Sequence, residues 1–240
     1  MFRLEREGEA VRLVLDRPAA RNAIPASGWG RLAACLEKVE QLPARVLVLC
    51  GGEEAFCAGA DLGDFAGFRG DEAACRTFRE DMRSALDALA GLALPTVAVI
   101  EGACYGAGVA LAMACDLRLA AASARFAITP AKLGISYPQE DVHRLVELVG
   151  PGQASRLLFT ALSIDAGEAA RIGLVDLVDG DVEEIVAAIA ANDPDSLATL
   201  KQAVRLAARG TRSDDGQDRR FDALIGADAL TERLEALRRR

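Results

Sequence analysis

The 240-residue sequence holds one histidine, His143, and none of its cysteines form a C-x-x-C pair. A zinc site built from nitrogen and sulfur ligands is therefore not expected, nor any other metal centre. The six cysteines are scattered at positions 35, 50, 57, 75, 104 and 115. In a chain of this size without a secretion signal they are expected as reduced thiols, which implies the cytoplasm. The N-terminus MFRLEREGEA is charged and lacks the apolar stretch of a signal peptide. No apolar run approaches the ~20 residues of a membrane span, the most apolar stretch being 109–115. Positive charge is also short. A net charge of −8 and a pI near 4.9 argue against a general nucleic-acid surface, and the terminal Arg238–Arg240 run is too local to reverse that. Ser136 sits in GISYP, outside any G-x-S-x-G elbow, and no G-x-x-x-x-G-K-[ST] spacing occurs. Gly106 and Gly108 begin a G-x-G-x-x-G pattern, but its third glycine falls on Leu111. A dinucleotide fingerprint is thus incomplete.

What is present is an ordinary globular composition, 51% hydrophobic and 27% charged, in a chain long enough to bury a substantial core. FRLEREGEAVRLVLDRP reads as a β-hairpin split by Glu7-Gly8-Glu9 and stopped by Pro18. SGWGRLAACLEKVEQL has helical spacing with Ser27 as N-cap. ARVLVLCGG and PTVAVIEG are short continuous apolar runs, the mark of buried strands. DEAACRTFREDMRSALDALAGL is a long amphipathic helix, and DLRLA and ARFAI are two further short strands. Strand, strand, helix, repeated to Gly134, predicts an α/β core of stacked turns. From Pro138 helices dominate (EDVHRLVELVG, PGQASRLLFTAL, DAGEAARIG), with LVDLVDG a late strand. The tail from Asp181 is helical apart from a polar break at RGTRSDDGQDRR. The expected division is a core over 1–182 and a helical C-terminal subdomain over 183–240, packed on the core or on a neighbouring subunit.

Two glycine-bearing turns carry the chemistry. In EEAFCAGADLGDF, Ala58-Gly59-Ala60 precede Asp61 just after a strand. Small side chains there let a ligand approach the backbone closely. In EGACYGAGVALAMACD a glycine turn opens directly into an apolar helix, and backbone N–H groups at a helix start can hold an anion. Taken alone, the second set of glycines equally well serves tight packing of helix on strand. Taken together, the two turns can each aim one N–H at a common atom, which makes an oxyanion hole.

With these segments in place, the chain resembles the crotonase superfamily, the enoyl-CoA hydratase/isomerase family. LDRPAARNAI, AFCAGADL, PTVAVIEGACYGAGVALAMACDLRLAAASARFAI and RLLFTALSIDAGEAARIGLVD follow the family's motifs in order, nearly end to end. The resemblance implies a crotonase-like spiral of ββα turns with a C-terminal helical subdomain, assembled as a homotrimer or a dimer of trimers. It implies an acyl-CoA thioester as substrate and no separate cofactor, the thioester oxygen accepting hydrogen bonds from Ala60 N–H and Ala107 N–H. Ala58, Gly59, Asp61, Leu62 and Gly106, with Arg21 and Ala23 of the RNAI segment, would line the coenzyme A side, and Arg17 and Arg21 would meet phosphates.

The sequence departs from the hydratases at their two catalytic glutamates, which would fall at Ala110 and Pro130. Neither residue transfers a proton. Polar groups still expected nearby are Tyr137, Glu140 and Asp141. The stretch TPAKLGISY resembles the corresponding segment of bacterial methylmalonyl-CoA decarboxylases, which would place Tyr137 at the departing carboxylate; the alternative is an aromatic packed on Pro138. His143, near a helix start, is expected to be solvated or capping. Three readings follow: a family enzyme that stabilises a thioester enolate, a decarboxylase of malonyl-type esters using Tyr137, and an acyl-CoA-binding protein without catalysis.

Overall fold

A computed structural model describes residues 1–52 and 54–239, the side chain of Leu237 excepted. Glu53, the first letter of the EEAFCAGADLGDF motif, and Arg240 of the terminal arginine run lie outside the described residues. Strands β1 (Phe2–Glu7) and β2 (Ala10–Leu15) form the expected antiparallel hairpin, with Phe2 opposite Leu15. Parallel strands then extend the sheet: β3 (Val46–Cys50) beside β2, β5 (Thr96–Ile100) beside β3, β7 (Leu117–Ala120) beside β5, and β10 (Leu177–Val178) at the far edge. Apolar side chains on both faces of β3 and β5 are buried, as suits strands covered on two sides.

A second sheet follows the order β4 (Ala55–Cys57), β6 (Ala103–Tyr105), β8 (Arg125–Ala127), β9 (Ile164–Asp165). Each turn of the chain thus leaves a strand in the first sheet, a shorter strand in the second, then a helix. The helices in question are α2 (Glu72–Gly91), α3 (Ala107–Ala114) and α4 (Gln139–Thr160). This is the stacked strand, strand, helix repeat read from the sequence. The short strands β4 and β6 fall inside the two glycine-bearing turns, where the sequence suggested turn alone. Three residues are too few for an alternation signal.

Helix α1 (Ala26–Glu40) buries a stripe of Trp29, Leu32, Leu36 and Val39, and α2 buries Met82, Ala85, Leu86 and Leu89. Every residue of α3 is buried, as its all-round apolar sequence requires. Ser27 does not cap α1, whose N-cap is Pro25 with no side-chain bond. The service comes from afar: Asp64 Oδ2 accepts from Ala26 N at 2.6 Å. Helix α4 contains a break at Gly150 (φ 74°), just before Pro151, which separates the two helical segments seen in the sequence.

After α5 (Ala166–Arg171), α6 (Val182–Ala190) covers the outer face of the large sheet, Val186 packing with Val46, Val48, Val97 and Leu119. Then come α7 (Pro194–Ala208), α8 (Asp215–Ile225) and α9 (Asp228–Arg238). The polar break in the tail is shorter than RGTRSDDGQDRR suggested, because Asp214 caps α8 by accepting from Gln217 N at 2.9 Å. No described helix is long and apolar enough to cross a membrane.

Candidate active site

The segment after β4 is laid against the RNAI segment like a strand. Ala58 N donates to Arg21 O at 2.9 Å, Ile24 N to Gly59 O at 2.8 Å, and Asp61 N to Ile24 O at 2.8 Å. Backbone groups alternate sides along an extended chain, so Ala60, lying between Gly59 and Asp61, turns its N–H away from Ile24. Asn22 holds this arrangement from beneath. It is buried at φ 57°, a conformation asparagine tolerates better than most residues. Its Nδ2 donates to Ala55 O at 2.9 Å and Phe56 O at 3.3 Å, and its Oδ1 accepts from Arg17 N at 2.8 Å. Arg17 Nη1 reaches Asp61 Oδ2 at 2.6 Å and Ala23 O at 2.9 Å. The Arg17 guanidinium, together with Gly63 N–H, holds the Asp61 carboxyl below its ordinary range. Arg17, Ala23 and Asp61 therefore brace the loop. Arg21 is exposed at its edge.

The second loop follows β6. Gly106 (φ 50°, ψ −115°) is the N-cap of α3 and donates to Ala127 O at 2.9 Å. Two glycines let the loops meet. A Cβ on Gly59 (φ 104°) would lie 2.8 Å from Tyr105 O and 3.4 Å from Ala107 N, and one on Gly108 would lie 2.4 Å from Cys57 O. Among the described residues neither Ala60 N nor Ala107 N has a backbone acceptor. For Ala107 that is expected of a first helical residue, whose N–H has no carbonyl one turn back. Beneath them, burial pushes the Cys57 thiol up to about 12.

Both loops open on one cavity of about 430 Å³, lined here by Ala58, Gly59, Ala60, Leu62, Gly106 and Ala107. Pro130 and Tyr137 form part of another wall. Phe65, Phe78 and Met82 supply an apolar wall, with Phe65 and Phe78 edge to face at 5.7 Å. Arg79 is the one charged residue among the described lining, which contains no aspartate or glutamate. Helix α2 was read from the sequence as an amphipathic helix but not as part of the site, and the turn before it was not singled out. Phe78 and Met82, four apart on a helix, carried the only signal.

Of the other sequence candidates, Ala110, Glu140, Asp141 and His143 lie outside the lining. Ala110 is fully buried inside α3. Glu140 and Asp141, expected near the reacting carbons, turn instead towards the arginines of α2 and α4. Glu140 is exposed, 3.9 Å from Arg83 Nη1. Asp141 is 1% exposed, its Oδ1 3.5 Å from Arg83 and 3.4 Å from Arg144, while its Oδ2 has no partner among the described residues. Burial raises the Asp141 pKa despite both arginines. Tyr137 directs its hydroxyl to Gly106 O at 3.0 Å, a carbonyl that Ala110 N also reaches at 3.3 Å. Burial and the nearby Asp141 carboxylate push its pKa well above the ordinary tyrosine value. His143 is exposed on α4, its Nε2 3.2 Å from Glu147 Oε1.

Comparison with known proteins bears on the family and the fold. The sequence profile of the enoyl-CoA hydratase/isomerase family matches residues 5–224. A short-chain-enoyl-CoA hydratase of Clostridium acetobutylicum is 34% identical over 219 residues, spanning 88% of this chain and 82% of that protein. A crotonyl-CoA hydratase of Syntrophomonas wolfei is 36% identical over 177 residues, 73% of this chain and 67% of that one. The crystal structure of an enoyl-CoA hydratase from Bacillus anthracis superposes with a TM-score of 0.89 at 30% identity, covering 99% of this chain and 96% of that chain.

Proposed function

The chain belongs to the enoyl-CoA hydratase/isomerase family, and on that premise we propose that it takes an acyl-CoA thioester and stabilises its enolate without a protein carboxylate as proton carrier. In this reading Ala60 N–H and Ala107 N–H donate to the thioester oxygen. One observation carries it: two backbone N–H groups without backbone acceptors border a cavity whose described lining has no acid. Ala107 also opens α3, whose positive dipole end favours the charge that develops on an enolate oxygen.

Calorimetry with a panel of acyl-CoA thioesters tests the binding half. Micromolar affinity is expected, because the two small-residue loops are intact. No binding to any member of the panel would contradict every acyl-CoA reading of the site.

Decarboxylation is the second reading, favoured by a cavity lining whose only described charge is the Arg79 cation. In a malonyl-type ester the electron pair of the breaking C–CO₂ bond moves onto the thioester oxygen, CO₂ leaves, and the α-carbon takes a proton from water. That route needs no base. A carboxylate wall would instead repel the substrate's own carboxylate in a site of low dielectric. The same proposal includes a cytoplasmic setting, which the six unbridged cysteines fit. It also includes a homotrimer or dimer of trimers, supported by apolar side chains exposed on α7 to α9, among them Leu200, Val204, Phe221 and Ile225.

A further inference from the structure

The carbonyl that accepts from Tyr137 belongs to the same peptide unit as Ala107 N–H. Among the described residues no peptide bond is cis, so C=O and N–H leave this unit in opposite directions within one plane. Whatever fixes the Gly106 carbonyl fixes the aim of Ala107 N–H. We propose that Tyr137 is a positioning residue: its hydroxyl holds the Gly106–Ala107 peptide plane so that Ala107 N–H faces the thioester oxygen, and it strengthens that N–H as a donor. The inference rests on the reading of Ala107 N–H as a thioester contact.

Three features support it. Among the described residues a Cβ on Gly106 would meet nothing within 4 Å, so no side-chain contact at that point fixes the plane. The Gly106–Ala107 plane is held through its carbonyl, which accepts from Val109 N at 2.9 Å, Ala110 N at 3.3 Å and the Tyr137 hydroxyl at 3.0 Å, while Gly106 N, in the preceding unit, donates to Ala127 O at 2.9 Å. A hydrogen bond to an amide oxygen also polarises the unit and makes its N–H a better donor. Lastly, Tyr137 keeps its proton, since burial and the Asp141 carboxylate both disfavour tyrosinate. The phenol is itself seated at the start of α4, which Asp141 and Arg144 tie to Arg83 and Asp87 of α2. A hydroxyl engaged in this way orients the oxyanion donor and does not deliver a proton to the enolate.

The test compares butyryl-CoA with its thioether analogue S-butyl-CoA, which lacks the carbonyl, and reads the thioester C=O stretch of bound ¹³C-labelled butyryl-CoA. The native protein is expected to prefer the thioester and to lower its stretching frequency. Tyr137→Phe should bind S-butyl-CoA as the native protein does, lose about fivefold towards butyryl-CoA as one neutral hydrogen bond would, and lose part of the frequency shift. Full retention of preference and shift in Tyr137→Phe overturns the positioning role. Absence of both in the native protein overturns the thioester contact itself, and the inference with it. If Tyr137→Phe does not fold, 3-fluorotyrosine incorporated into a Tyr105→Phe background acidifies the one remaining phenol. A further lowering of the stretch is then expected, and an unchanged stretch overturns the proposal.

Discussion

Crotonyl-CoA is expected to pass through the purified protein unhydrated, with a kcat below about 10⁻³ s⁻¹ where enzymes commonly reach ~10 s⁻¹. Adding water across the double bond needs a positioned acid and base, each worth ~10²–10⁴-fold. The two positions where the family resemblance puts them hold Ala110, fully buried, and Pro130, which faces the cavity without a titratable proton. Glu140 and Asp141 do not replace them, because one is exposed and the other is enclosed between Arg83 and Arg144. Loss of the conjugated enoyl absorbance is the measurement. Hydration at ordinary enzymatic rates would contradict the acid-free site, and Glu140→Gln beside Asp141→Asn would then identify the carboxylate that reaches in. The same preparation should release CO₂ from malonyl-CoA or methylmalonyl-CoA if the decarboxylase reading holds. Turnover of neither ester removes that reading and leaves isomerisation through the enolate, or acyl-CoA binding without conversion.

The second large effect belongs to the glycines between the loops. In Gly108→Ala the new methyl carbon would stand 2.4 Å from Cys57 O and 3.0 Å from Cys57 Cβ. Neither neighbour is the flexible end of a long side chain, so the end of β4 must move. Overpacking of this kind costs about 1–3 kcal/mol, or roughly 2–12 °C in Tm for a chain of this size. Gly59→Ala adds backbone strain at φ 104° to a 2.8 Å approach to Tyr105 O. Both variants should lose about 10- to 100-fold in acyl-CoA affinity, since the two N–H donors no longer converge. Gly30→Ala is the control. Its Cβ meets nothing within 4 Å inside α1, and a glycine replaced by alanine within a helix gains up to ~1 kcal/mol. Melting curves and calorimetry on the three variants check the set. Unchanged binding in both Gly59→Ala and Gly108→Ala would show that loop contact does not build the site.

Much of this was legible in the sequence because the signals were local. Continuous apolar runs announced β3 and β5, and the glycine turns announced the two loops, since glycine is what close backbone approach requires. Tyr137 was legible as a residue but not as a bond: nothing in TPAKLGISY says that its hydroxyl ends on Gly106 O, 31 positions earlier. Glu140 and Asp141 misled for a related reason. Their position after Tyr137 is read directly from the sequence, whereas their direction depends on Arg83 from a different helix. The apolar wall from α2 escaped because Phe78 and Met82 look like any core stripe on an amphipathic helix. Ser27 had the right chemistry for a cap, but Asp64 had the right place.

The most direct measurement is a crystal structure of the protein with a bound acyl-CoA. The thioester oxygen is predicted within about 3 Å of both Ala60 N and Ala107 N, the reach of an ordinary N–H···O bond. Tyr137 is predicted to remain on Gly106 O, with no carboxylate of the protein in contact with the α or β carbon. A thioester oxygen turned away from the two N–H groups, or an aspartate or glutamate seated against the reacting carbons, would contradict enolate stabilisation by backbone donors in an acid-free cavity.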